Sequence, residues 1–186
     1  MKADRVRKVA DLANRRTRER FGRFLIEGPQ SVREAVTWMP DAVRDLYVQA
    51  ADGPDGPRIA GETLTSIVER SQEHRIYVHP ASEAVMRRIS PDCQGIAAVG
   101  DADAVRATAQ GTQLPEEPFV AAFWQVRDPG NAGTVIRAAD AAGCDAVVFV
   151  DDCVDMLNPK VIRATAGSLF HICLLYTSDA ADDLTR

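Results

Sequence analysis

Several features that would point to other classes of protein are missing from this sequence. It has no apolar run long enough to cross a membrane, and its first residues, MKADRVRKVADLANRR, lack the apolar centre of a signal peptide. The four cysteines form no CxxC pair, which favours free thiols over a metal site. The three histidines are too scattered to support a zinc site or a Ser-His-Asp arrangement: His74, His79 and His171. We therefore expect a cytoplasmic protein with no metal and no membrane partner.

The composition indicates a globular protein. Of 186 residues, 46% are hydrophobic and 26% are charged, enough for one ordinary domain or two small ones. Short apolar runs alternate with helical patterns, which predicts an α/β fold. The run at 119–124 is apolar throughout, as expected of a buried strand. The predicted strands are 24–26, 46–48, 75–78, 96–99, 119–124 and 146–150, and the helices in the first half are 3–20, 30–38, 63–69 and 82–89.

The stretch 101–118 differs from its surroundings. Its sequence, DADAVRATAQGTQLPEEP, is rich in small and polar residues and closes on two prolines. Such a composition is typical of a linker. The sequence therefore predicts a first domain over 1–100, a linker over 101–118 and a second α/β domain that starts at 119.

Positive charge is concentrated at the N-terminus. Residues 1–24 hold nine basic side chains against three acidic ones, although the whole chain has a net charge of −5. A basic end on an acidic body is typical of a phosphate-binding surface, but the same pattern is expected of a solvated helix face. The candidate RNA contacts in this stretch are Arg15, Arg16, Arg18 and Arg23.

A strand-to-helix loop at 125–131 is the first candidate site. Asp128 or Asn131 can cap the helix that follows, and Arg137 lies about one and a half turns into it, off the apolar stripe. A loop of small residues over a helix start, with an arginine nearby, suits a phosphate or a ribose. Taken alone, these residues fit a capped helix with a solvated arginine slightly better.

A second candidate site, also at a capped helix start, supports the interpretation of the first as a ligand site. Asp151 and Asp152 follow the strand at 146–150, at the strand end where ligands gather in parallel sheets. Asn158 and Pro159 suit the start of a helix. Lys160, Arg163 and Thr165 then place two cations and a hydroxyl close to that helix start.

Together these segments resemble the SpoU-type family of RNA ribose 2′-O-methyltransferases. The likeness spans about residues 1–172 and rests on four ordered motifs, which makes it far more specific than a lone glycine pattern. The first two motifs of the catalytic domain are matched by Asn131-x-Gly133-x-x-x-Arg137-x-Ala139 and by Asn158-Pro-Lys-Val-Ile-Arg163-Ala-x-Ala-Gly167-Ser-Leu-Phe170. The N-terminal substrate-binding domain of the family is matched by Arg23-Phe-Leu-Ile-Glu27-Gly28 and Gln94-Gly95-Ile-Ala-Ala-Val99.

The resemblance implies a fold and an activity. A small ribosomal-protein-like α/β domain would bind structured RNA, ribosomal rather than transfer RNA. A trefoil-knotted SPOUT α/β domain would use S-adenosylmethionine, in a homodimer. Arg137 would be the catalytic arginine, with Asn131 ordering the same loop, while Lys160 and Arg163 would help to shape the RNA and dimer surface. Arg137 could serve as a base or as a clamp, and a guanidinium that stays protonated favours the clamp.

The C-terminal end departs from the family. The third motif, an Asn-containing loop that makes most of the cofactor pocket, is missing, so the SPOUT domain covers 119–172 and is incomplete. Residues 173–186, CLLYTSDAADDLTR, resemble translated sequencing adapter and are expected to be non-native. The cofactor-binding residues therefore stay unknown, and the chain as it stands is expected to be inactive.

Two other readings are open. A non-catalytic RNA-binding protein would use the basic N-terminus and residues 1–100 to hold structured RNA by phosphate and shape. A Rossmann-like nucleotide-binding enzyme would need a third glycine in its fingerprint, which Gly130-Asn-Ala-Gly133 lacks. The missing third motif favours the RNA-binding protein for the chain as it stands, whereas the intact Asn131 and Arg137 favour the methyltransferase for its full-length parent.

Overall fold

The structure is a computed structural model that describes residues 3–177, apart from 55 and 112. Its first part is a mixed sheet with helices on both faces. In that sheet β1 (Arg23–Glu27) pairs antiparallel with β5 (Ile96–Asp101), β5 antiparallel with β2 (Val43–Ala51), and β2 parallel with β4 (Tyr77–Ala81). The short β3 (Arg58–Ile59) pairs antiparallel with the last two residues of β2. The elements are α1 Ala3–Ala10, α2 Arg15–Phe21, β1 Arg23–Glu27, α3 Pro29–Trp38, β2 Val43–Ala51, β3 Arg58–Ile59, α4 Glu62–Glu73, β4 Tyr77–Ala81, α5 Glu83–Ile89 and β5 Ile96–Asp101.

The second part is a parallel sheet of the order β6-β7-β8 within the described residues. In it Trp124 is level with Val150, and Val150 with Thr177, so the three strands end at the same edge. The elements are α6 Ala102–Gly111, β6 Val120–Trp124, α7 Pro129–Ala141, β7 Ala146–Val150, α8 Pro159–Ala164 and β8 Cys173–Thr177.

One apolar core joins the two parts. Ile26 and Val36 of the first part belong to the same buried cluster as Ile136 and Ile162 of the second. A second cluster, which includes Val6, lies on the other face of the first sheet, beneath α1 and α5. Burial of this kind is the main favourable contribution to folding, so the two parts stabilise each other.

The alternation of strands and helices is confirmed, but the predicted helix over 3–20 is wrong as a single element. It is interrupted at Asn14, whose backbone is extended (ψ 130°) and whose side chain accepts a hydrogen bond from the amide of Arg16 at 3.0 Å. Asn14 therefore caps a second helix, α2, which ends at the left-handed Gly22.

The stretch predicted as a linker begins with a helix. Asp101 Oδ1 accepts hydrogen bonds from the amides of Asp103 and Ala104 at 3.0 and 3.3 Å, and this caps the start of α6. Ala102 and Val105 are buried against the core. A cap followed by alanine-rich sequence favours a helix. The linker prediction rested on the polar composition and overlooked this cap.

The prediction of a buried strand at 119–124 is also wrong. Alternate residues of β6 are exposed, with Trp124 at 70% exposure. In the described part of the chain β6 pairs on one side alone, with β7, so it is an edge strand. The predicted non-native tail starts with a regular strand, since β8 pairs with β7 and Leu174 packs against the core. Residues 178–186 lie outside the described residues.

Candidate active site

Two polar loops meet at the carboxyl edge of the parallel sheet. The side chain of Gln125 donates a 2.6 Å hydrogen bond to Asp151 Oδ2, and Val154 N donates to the carbonyl of Val126 at 2.8 Å. Gln125 and Asp151 both have left-handed backbones, at φ 52° and 66°. The hydrogen bond from Gln125 lowers the pKa of Asp151 below its ordinary value. Ligands gather at this edge in open parallel sheets.

The first turn of α7 shows which residue caps it. Asp128 Oδ1 accepts a hydrogen bond from the amide of Asn131 at 2.8 Å, so Asp128 is the cap. The side chain of Asn131 is exposed and hydrogen-bonds to no other described residue. The side-chain amide group of Asn131 is therefore available to a ligand.

Arg137 is exposed on α7, and its guanidinium pairs with no carboxylate among the described residues. Six positions separate it from Asn131, which at about 100° per residue places the two side chains about 120° apart around the helix. The structure thus brings the two onto one helix without direct contact. A ligand that engages both has to bridge part of the helix surface.

Gly133 lets α7 and α8 approach closely. A Cβ atom added to it would lie 2.3 Å from Ala164 Cβ and 2.7 Å from the carbonyl carbon of Ala164. No side chain fits in that space. Gly133 of the first motif and Ala164 of the second are therefore in contact. This contact fixes the distance between α7 and α8, and with it the separation of the loops that precede them.

The two cations of α8 differ in their surroundings. Asn158 Oδ1 accepts a hydrogen bond from the amide of Lys160 at 3.0 Å, which caps the helix. Lys160 itself is exposed and unpaired among the described residues. Arg163 Nη1 lies 3.1 Å from Glu27 and 2.6 Å from Asp92, two carboxylates of the first part. The ion pairs of Arg163 therefore link the two parts of the structure, whereas Lys160 is available to bind a ligand.

A second polar cluster joins the parts beside Gly167. His171 lies between two carboxylates, with Nδ1 3.0 Å from Asp140 and Nε2 3.1 Å from Glu34. Burial acts to raise the pKa of Glu34, but hydrogen bonds from His171 and Arg33 outweigh it, so the pKa is lowered. This cluster holds α3 against α7.

The four N-terminal candidates also have different surroundings. Arg15 pairs with Glu19 at 2.7 Å, which raises the arginine pKa, and Arg23 pairs with Asp101 at 2.8 Å. Arg18 is 5% exposed and its donors are used within the chain, so it presents no charge to a ligand. Arg16 is exposed and unpaired among the described residues.

Sequence reasoning did not single out two exposed aromatic residues that line cavities beside the N-terminal helices. Arg20 lies over the ring of Phe21, with 5.2 Å from its guanidinium carbon to the ring centroid, and Phe21 is exposed. Tyr77 is exposed at the edge strand β4. An aromatic residue that follows a run of arginines was the available signal for Phe21. Tyr77 had no such signal.

The described residues contain neither a metal-ligand cluster nor a membrane-spanning helix. Across the described ranges 3–54, 56–111 and 113–177, no three His, Cys, Asp or Glu side chains group as a metal site would require. In the same ranges no helix has the length and apolar character that a membrane span needs.

The fold and the site define a class: an α/β protein whose mixed-sheet first part packs against a parallel sheet, with polar loops at the carboxyl edge of that sheet. The helix that starts at this edge carries an arginine that pairs with no carboxylate among the described residues. Comparison with known families agrees. The SpoU rRNA methylase family matches residues 118–186, and the MRM3-like substrate binding domain matches residues 3–98. The chain belongs to the SpoU rRNA methylase family.

Named relatives and solved structures resemble the chain over part or most of its length. The 23S rRNA (guanosine(2553)-2′-O)-methyltransferase RlmP of Bacillus subtilis is 35% identical over 176 residues, which is 92% of this chain and 61% of RlmP. The human mitochondrial rRNA methyltransferase 3 is 40% identical over 74 residues, 39% of this chain and 18% of that protein. The chain therefore spans less than two thirds of the length of these relatives.

The structural likeness concerns the fold. The SpoU methyltransferase AviRb of Streptomyces viridochromogenes, in complex with AdoMet, has a TM-score of 0.78 at 22% identity and covers 98% of this chain and 66% of its own. The AdoMet-bound rRNA methyltransferase of Sinorhizobium meliloti has a TM-score of 0.74 at 23% identity, over 98% and 64%. The SPOUT α/β fold class expected from the sequence is confirmed.

Proposed function

We propose that the protein takes part in 2′-O-methylation of ribose in structured RNA, with S-adenosylmethionine as the methyl donor. The observation that carries the proposal is Arg137: an exposed guanidinium, unpaired among the described residues, on the helix that starts at the ligand-binding edge of a SpoU-family sheet. Relatives named as rRNA methyltransferases favour ribosomal RNA over transfer RNA.

Arg137 acts as a clamp in this proposal. Its planar fork can hold the ribose and the neighbouring 3′-phosphate through two parallel hydrogen bonds. A guanidinium keeps its proton below a pKa of about 12, so it serves poorly as the base for the 2′-hydroxyl. Asn131 supplies a side-chain amide on the same helix that can hydrogen-bond to the bound ribose or cofactor. Holding the hydroxyl in line with the methyl group is the main contribution such a site can make.

The chemistry of the cofactor fits this edge of the sheet. S-adenosylmethionine supplies an electrophilic methyl group when it is bound. Among the described residues, the helix that starts at this edge carries the uncommitted side-chain amide of Asn131 and, further along, the unpaired guanidinium of Arg137. The cofactor-binding residues stay unassigned. The proposal includes a homodimer and a cytoplasmic location, both of which sedimentation and cell fractionation of the full-length protein can test.

The decisive experiment separates methyl transfer from RNA binding. In the full-length gene product, Arg137→Ala should lower transfer of labelled methyl groups to ribosomal RNA by more than about 100-fold and change RNA affinity by a few-fold at most. Arg137→Lys should not restore activity, because a point charge lacks the planar fork. Arg106→Ala is the matched control, since Arg106 is an exposed arginine of α6, outside the candidate site, and pairs with Asp103 at 2.9 Å. Equal loss of affinity and activity in Arg137→Ala would contradict the catalytic assignment.

A second candidate function is RNA binding without catalysis. The observation that favours it is the exposed cationic surface of α1 and α2, which is remote in sequence from Arg137. An active wild-type protein that loses methyl transfer in Arg137→Ala excludes this candidate. A wild-type protein that binds ribosomal RNA and transfers no methyl group supports it.

A further inference from the structure

Two concavities lie on either side of the N-terminal helix α1. The first has a volume of about 440 Å³ and is lined by Arg7, Lys8, Asp11, Arg16, Thr17, Arg20 and Phe21. The second has a volume of about 540 Å³ and is lined by Asp4, Arg5, Lys8, Tyr77, Val78, His79 and Pro80. Lys8 lines both, so the two form one continuous surface across α1. We call this surface the α1 track.

Each concavity contains one exposed aromatic ring. Phe21 is 52% exposed and Tyr77 is 66% exposed. The Tyr77 ring is supported by His79, at 4.5 Å between centroids, and His79 in turn stacks on Tyr47 at 4.7 Å and hydrogen-bonds to Asp45 at 2.7 Å. Large exposed aromatics are costly to leave in water, and two on one polar surface indicate a binding role.

The charge of the track is positive although that of the chain is negative. Its cations are Arg5, Arg7, Lys8, Arg16 and Arg20, against the carboxylates of Asp4 and Asp11. Asp4 is engaged by Arg7 at 2.6 Å and Lys8 at 3.4 Å. Arg5, Arg16 and Arg20 pair with no carboxylate among the described residues. The unpaired charge can therefore attract an anionic polymer.

We propose that the α1 track binds a single-stranded stretch of the substrate RNA, with unpaired bases stacked on Phe21 and Tyr77 and the backbone phosphates along Arg5, Lys8, Arg16 and Arg20. Aromatic rings can accept a base only after it leaves the helical stack, so this pattern fits a loop or bulge and not a duplex. The inference rests on the proposed function in taking RNA as the partner, and it assigns the recognised feature to an unpaired segment.

The aromatic part of the proposal is tested by fluorescence anisotropy on the present chain. The probes are a labelled single-stranded oligouridylate of about 12 nucleotides and an RNA duplex of the same length. Phe21→Ala and Tyr77→Ala should each weaken single-strand binding by about 5- to 100-fold and leave duplex binding unchanged. Phe21→Tyr and Tyr77→Phe retain a stacking ring and should bind as wild type does. Phe119→Ala, which removes an equally exposed ring elsewhere (56%), is the matched control.

The cationic part is tested by the salt dependence of binding. Each phosphate contact in single-stranded nucleic acid contributes about 0.7 to the slope of log affinity against log salt, so Arg16→Gln/Arg20→Gln should reduce the slope by about 1.4. Arg58→Gln/Arg70→Gln removes two exposed cations outside the track and should leave the slope unchanged. Polyglutamate at equal charge should not displace the RNA.

Several results would overturn the inference. These are duplex binding tighter than single-strand binding, single-strand affinity unaffected by the two alanine variants, no binding of either probe, or displacement by polyglutamate, which would indicate an acidic protein as the partner. Failure of the proposed function would show differently, as absence of methyl transfer in a full-length protein whose Arg137 is intact.

Discussion

Arg18 and Asp155 are 137 positions apart in the chain, and Nε and Nη2 of the arginine lie 3.0 and 2.6 Å from the same carboxylate oxygen, Oδ2. Nη1 of Arg18 also donates to the carbonyls of Leu12 and Ala13, at 2.9 and 2.8 Å. One buried side chain thus holds the N-terminal helices, the loop after β7 and the turn at residues 11–13 together.

Loss of Arg18 should destabilise the whole chain. Arg18→Ala leaves Asp155 and two carbonyls without their donor in a largely buried setting, and we expect a loss of about 2–3 kcal/mol in the free energy of unfolding. Urea denaturation followed by circular dichroism measures it. Arg15→Ala is the control, because Arg15 is in an exposed pair with Glu19 that contributes less than about 0.5 kcal/mol. Similar values for both variants would show that the buried pair contributes little.

The contact between α7 and α8 predicts intolerance at Gly133. Gly133→Ala places a Cβ 2.3 Å from that of Ala164, so the two helices have to separate. We expect a loss of about 1–3 kcal/mol, since overpacking forces backbone shifts. Gly111→Ala, with nothing within 4 Å of the added Cβ, should leave the stability unchanged or slightly higher. Thermal melts of both variants decide the matter, and equal melting temperatures would contradict a rigid helix contact.

Acid should weaken the start of α6 through Asp101. Burial acts to raise the pKa of Asp101, but hydrogen bonds from Arg44 and the amides of α6, together with the charge of Arg23, outweigh it and lower the pKa. A lowered folded-state pKa gives stability that is present above the unfolded value of about 3.9 and is lost as the pH falls below it. Asp101→Asn should therefore lose about 1–3 kcal/mol at neutral pH, and its difference from wild type should shrink steadily as the pH falls below about 3.9.

Urea titrations at several pH values measure this dependence. Asp103→Asn is the control, because the Asp103 side chain is 81% exposed and pairs with Arg106 on the surface. A pH profile of Asp101→Asn that runs parallel to that of wild type would show that Asp101 does not supply the acid-sensitive stability.

The two cations of α8 should give opposite phenotypes. Lys160→Ala removes an unpaired exposed charge, so we expect weaker RNA binding by a few-fold and an unchanged melting temperature. Arg163→Ala leaves the buried Glu27 without its partner at 3.1 Å, and we expect a loss of about 1–3 kcal/mol in stability. Anisotropy and thermal melts on the same two variants separate the effects. A destabilised Lys160→Ala with normal RNA binding would reverse the assignment.

Local features of the structure could be predicted from the sequence. The caps at Asp128 and Asn158 and the apolar stripe of α7 depend on neighbours within a few positions, and such features can be inferred from residue type and spacing. Asn14 and Asp101 are capping residues, so the helix break and the helix start at these positions could also have been predicted. The break was missed because the Arg-rich pattern of 3–20 was taken as one helix, and the start was missed because the polar composition of 101–118 indicated a linker.

What the sequence by itself determined was the α/β alternation, the order of the motifs and, through them, the family. The tertiary structure alone decided that β6 pairs on one side among the described residues, that Arg18 and Arg163 bind carboxylates of the other part, and that Phe21 and Tyr77 line one basic surface. The physical reason is distance along the chain. An arginine in the sequence has the same charge whether it meets Asp155 or solvent, and folding decides which of them it meets.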